Sequence, residues 1–167
     1  MVASLYKEVV ARHPGAEMGD PKVFGPYFSK ALLHRYQDYT ACYDDWERRN
    51  PGTTDKPPFG LLNMNLYWGA SEGMLDVYFG GSGLWNPQTF QIEKTETGKD
   101  GVSRVYVKLP YRKQMVWHVA VVVVRENGRP LMDDLIYLKD EYNQYEGRLS
   151  EVLGSHCKGP RWDGSSG

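Results

Sequence analysis

The sequence is poor in the residues that build covalent or metal frameworks. It holds two cysteines in 167 residues, Cys42 and Cys157, and neither belongs to a Cys-x-x-Cys. That spacing excludes zinc ribbons and thioredoxin-type redox sites. The four histidines, His13, His34, His118 and His156, form no His-x-His or His-x-x-x-His pair, so no metal site is expected. Gly80-Gly81-Ser82-Gly83 lacks the Gly-Lys-Ser/Thr ending of a phosphate loop, and no cofactor is expected. No apolar run approaches the roughly 18 residues of a transmembrane helix. Charge of one sign is also missing. Lys and Arg total 20 against 21 Asp and Glu, a net charge of −1. A protein that binds nucleic acid by neutralising phosphates carries a basic excess or a basic stripe, so DNA and RNA are excluded as expected partners.

What remains is globular. Hydrophobic residues make up 41% and charged residues 25%. One domain of this length buries roughly 70% of its unfolded surface, enough for a core without staples. We expect one α+β domain over residues 1–160 and a flexible tail over 161–167. Residues 2–12 read as a short helix, stopped by His13-Pro14-Gly15. Asp20-Pro21 then looks like a helix start. Phe24, Phe28, Leu32, Tyr36, Tyr39, Tyr43 and Trp46 recur at spacings of three and four. That is one face of an amphipathic helix of about 25 residues, with Gly25-Pro26 able to kink its first turn. Residues 51–60 read as loop, and 61–85 as a short helix followed by a short strand.

The second half changes period. Strands are expected over 89–95, 102–109, 115–125 and 131–138, with Asn127-Gly128 marking a hairpin. The connections are too short for crossover helices, so the strands form an antiparallel meander. Strand 115–125 is apolar on both faces, which places it in the middle of the sheet. A last helix is expected over 140–154. Helices followed by a meander give an α+β fold.

This order resembles the nuclear transport factor 2-like superfamily. The local likeness lies in Val121 to Tyr137, a β-rich strand, a turn, and then Met132-Asp133-Asp134-Leu135 with an aromatic at Tyr137. Tyr27 to Leu33 is similar to that superfamily's helix. More narrowly, the layout resembles a bacterial domain family of unknown function found in exported and periplasmic proteins. The resemblance implies a cone in which N-terminal helices pack on a strongly curved antiparallel sheet, with a short C-terminal helix. It also implies a cavity that related isomerases and dehydratases furnish with an Asp or His, and sheets that can dimerise through their outer face.

Candidate chemistry is sparse. Gly69-Ala70-Ser71-Glu72-Gly73 matches the nucleophile elbow, but that elbow needs a parallel sheet beneath it. Acid–base work in an apolar pocket would fall to Asp76, His118 or Asp134, because desolvation raises a buried carboxyl towards neutral pH. Strand alternation sends Asp133 and Asp134 to opposite faces, one of them solvated. The surface is more informative. Five Trp and twelve Tyr exceed what the core needs. Tyr67, Trp68, Trp85, Tyr111, Arg112 and Trp162 fall in or beside loops, and these residue types anchor interfaces. The expectation is a non-enzymatic, protein-binding module of the bacterial cell envelope, with an immunity protein against a secreted antibacterial toxin as one concrete form. The alternative is a small-molecule-binding protein or acid–base enzyme using the cavity. No signal-peptide core is present, which fits a mature periplasmic or secreted form or a cytoplasmic protein. Cys42 and Cys157 are either buried thiols or one disulfide.

Overall fold

In the computed structural model the described residues are 1–11, 24–52, 89–111, 115–139 and 147–155. Helix α1 spans Val2–Ala11. A single 3-10 turn, Gly25–Tyr27, precedes helix α2, Lys30–Arg49. The expected 25-residue helix is therefore shorter and starts later. Pro26 supplies no N–H, and Phe28 turns extended to bridge Met132. Ser29 caps α2, its Oγ accepting from Leu32 N–H at 3.0 Å. Arg48 and Arg49 occupy the last turn, where they oppose the negative end of the helix dipole and pair with Asp45.

Five strands follow: β1 Gln91–Thr97, β2 Ser103–Tyr111, β3 Met115–Glu126, β4 Arg129–Tyr137 and β5 Gly147–Arg148. They form one antiparallel sheet in sequence order. The expected meander is present, and β3 lies between β2 and β4. The β3–β4 hairpin turns through Asn127 and Gly128, both at positive φ (51° and 78°), the geometry that Asn-Gly favours. The last described element is helix α3, Leu149–Ser155. Of the helix expected over 140–154, residues 149–154 are helical, and β5 takes two positions assigned to it. Residues 140–146, the segment 53–88, Asp20-Pro21 and the tail 161–167 lie outside the described residues.

The core is where the aromatic stripe meets the sheet. Phe28, Leu32, Tyr36 and Tyr39 bury against Val107 and Leu109 of β2, Val119 and Val121 of β3, and Met132, Leu135 and Tyr137 of β4. Phe28 stacks on Tyr36 with ring centres 5.3 Å apart. Leu5 and Tyr6 of α1 and Leu149 and Leu153 of α3 complete the same cluster. Each such side chain contributes about 1.5–3 kcal/mol of transfer free energy. On the opposite face Ala120 and Val122 are also buried, so β3 is sheltered on both sides.

Candidate functional site

The two adjacent aspartates of β4 each bond to residues distant in the chain. Val122 pairs with Asp134 and Val123 with Met132, so Asp133 is the extra residue of a β-bulge. The bulge breaks strict alternation, and neither carboxylate is simply solvated as alternation predicted. Asp133 is half-buried and accepts from Ser29 Oγ at 2.6 Å. Beside it, Ser29 N–H donates to the Met132 carbonyl at 2.7 Å, and Lys30 N–H donates to Glu126 at 3.1 Å. Asp133 therefore holds the start of α2.

Asp134 holds the start of α3. It is 5% exposed. Its Oδ1 accepts from Leu135 N–H and Ser150 N–H, each at 2.9 Å, and its Oδ2 accepts from Ser150 Oγ at 2.7 Å. Arg148 Nε lies 3.2 Å from Oδ2, a charge contact that is not aligned as a hydrogen bond. Position 148 precedes α3 and carries Arg, which cannot cap a helix through a side-chain oxygen. Asp134 supplies that oxygen from the neighbouring strand, and Glu151 reaches back to Arg148 N–H at 3.2 Å. To act as a base, Asp134 would have to leave these partners.

His118 is half-buried on β3 and pairs with Lys108. It precedes Val122, the partner of Asp134, by four residues, about 13 Å along a strand. The two candidates are not brought together. Tyr111 ends β2. Cys42 is fully buried on α2 and disulfide-bonded. Tyr67, Trp68, Ser71, Asp76, Trp85, Arg112, Cys157 and Trp162 lie outside the described residues.

The far end of the sheet carries features that the sequence reading passed over. A cleft of about 340 Å³ opens between the start of α1 and the core-side face of the sheet. Val2, Ile92, Val105 and Val123 line it together with the polar Thr95, Ser103 and Arg125. Ile92 is 39% exposed, the large hydrophobic residue left uncovered among those described. On the opposite face of β1 and β2 sits a charged cluster. Lys94 Nζ donates to Glu96 at 2.7 Å and lies 4.3 Å from the centre of the Tyr106 ring. Tyr106 O–H donates to the other Glu96 oxygen at 2.8 Å. The hydrogen bonds from Lys94 and then Tyr106 hold the Glu96 carboxyl below its usual range, and the same contacts raise Lys94 and Tyr106. Alternating charge in Glu93-Lys94-Thr95-Glu96 was the available signal, since charged residues mark edge strands.

Among the described residues no group of three or more His, Cys, Asp or Glu could hold a metal ion, and no helix is long and apolar enough to cross a membrane. Comparison with protein families, curated proteins and solved structures finds no significant match to this chain.

Proposed function

We propose that this protein is a non-enzymatic binding module that recognises a partner protein through the β1 end of its sheet. The observation that carries this reading is Ile92, left exposed on an open cleft whose lining also includes Arg125. An apolar anchor point rimmed by polar groups is what a partner's side chain needs. The commitment of Asp134 to α3 supports the same view, because it engages the carboxylate in structure and not in chemistry. The helix-and-sheet order supports the cone of the nuclear transport factor 2-like superfamily as the scaffold. We place the module in the bacterial periplasm or outside the cell, where the disulfide at Cys42 is stable. Its concrete form in this proposal is an immunity protein that neutralises a secreted antibacterial toxin.

The test is affinity capture from the source organism with the wild-type chain and an Ile92→Glu variant. A stoichiometric partner held at moderate salt by the wild type and lost by the variant is the expected result. Capture of nothing, or equal capture by both, overturns the reading. A second reading rests on the cleft volume, which lies at the lower end of the range for small-molecule sites. In that case Arg125 would face the polar part of an apolar acid, and the chain would be a carrier.

A further inference from the structure

Among the described residues β1 is the outer strand of the sheet, and every one of its seven residues is exposed. No described strand pairs with its outer edge. Its ladder with β2 is broken once, between Ile92 and Lys94, where Glu93 is the extra residue of a second bulge. The regular stretch is therefore Lys94 to Thr97. Lys94 and Glu96 lie on the outer face, opposite Tyr106 and Arg104, and Thr95 lies on the cleft side, opposite Val105. We propose that β1 pairs with β1 of a second copy of this chain, antiparallel, about a two-fold axis through Thr95.

The charge pattern chooses this occupant and this register. A two-fold axis normal to a sheet keeps matching faces together, so one residue must sit opposite itself at the centre. Centred on Lys94, the pairing sets Lys94 against its own copy. Centred on Glu96, it sets two carboxylates together. Centred on Thr97, it sets Lys94 against Asp100, which lies in the turn beyond β1 and cannot continue the ladder. Centred on Thr95, Lys94 of each copy faces Glu96 of the other, twice. Cross-strand pairs of opposite charge stabilise a sheet and like pairs destabilise it. The new ladder then runs from Arg104 through Glu96 to Lys94 and Tyr106 of the second copy, with a negative group between two positive ones. Thr95 and Ile92 line the cleft, so the same axis sets two clefts side by side across the joined strands. The lysine and the bulge reject pairing in other registers, which is how edge strands avoid indiscriminate association. The inference stands on β1 alone and not on the identity of any partner in the cleft.

One short strand pair buries a small area, so the dimer belongs to the weak class, with dissociation in the micromolar range and sensitivity to salt. Sedimentation equilibrium of the wild-type chain, over a concentration series from about 1 to 500 μM, should show a monomer–dimer equilibrium. Lys94→Glu and Glu96→Lys each place like charges across the axis, and each alone should weaken dimerisation at least about tenfold. Mixed together, the two variants meet opposite charges twice and should form a heterodimer. Both changed side chains are exposed, and circular dichroism checks that the fold is kept. Hydrogen exchange of the wild type gives a readout that needs no variant, since β1 amides should gain protection as concentration rises. A wild-type chain that stays monomeric to 500 μM overturns the inference. So do variants that dimerise like the wild type, or β1 protection that appears only with a different protein bound.

Discussion

Asp133 and Asp134 differ by one position, yet they secure different helices. Alternation alone would leave one of them idle in solvent. The bulge at Asp133 redirects the strand so that one carboxylate meets Ser29 and the other meets Ser150. Replacing Asp134 by Ala removes the oxygen that caps α3 and leaves Arg148 beside an apolar site. Chemical denaturation should show a loss of about 2–4 kcal/mol, from charge-assisted hydrogen bonds and a lost cap. Ser150→Ala, which removes one of the donors, should cost about 1 kcal/mol. Glu96 offers a test at the same scale. Its folded carboxyl is held below the usual range, so the contribution of its contacts is full above the unfolded value. That contribution is lost as pH falls through the folded value. A carbon-detected titration should find the Glu96 midpoint below that of an ordinary glutamate. Tyr106→Phe should move it upward, since one of the two donors is gone.

The elements of the meander were readable from local chemistry. The Asn127-Gly128 turn, the alternation of β2 and the two-sided apolar character of β3 each need only near neighbours. Gly128→Ala forces a side chain into positive φ at the hairpin turn, and should cost about 1–2 kcal/mol in thermal or chemical unfolding. Helix boundaries were less legible. The stripe from Phe24 to Trp46 keeps helical spacing, but Phe28 leaves the helix to bridge Met132, 104 residues away. The start of α2 at Lys30 depends on Ser29 reaching both Leu32 and Asp133. Ser29→Ala should therefore cost about 1–2 kcal/mol, the range of a lost N-cap. The start of α3 at Leu149 was hidden for a related reason. Its cap is a carboxylate on β4, and no residue beside Leu149 announces it.

At the scale of the whole molecule, α2 and α3 pack on one side of β4 and join in one core. Cys42 sits within that core and is disulfide-bonded, and the sequence holds one other cysteine, Cys157. Peptide mapping without reductant should join the two. Closing a loop of roughly 100 residues contributes up to about 4–5 kcal/mol in the chain-entropy model, so reduction should lower the melting temperature without changing the sheet. Composition and charge set the expectation of no phosphate-neutralising nucleic-acid binder. Periodicity was enough to assign helices followed by an antiparallel meander, because the spacing of apolar residues is set by each element's own repeat. The roles of Asp133, Asp134, Ile92 and Lys94 were not accessible in that way. A bulge shifts which face a side chain takes, and a cap or an uncovered edge is defined by residues distant in the chain. Those relations exist only once the strands and helices have met.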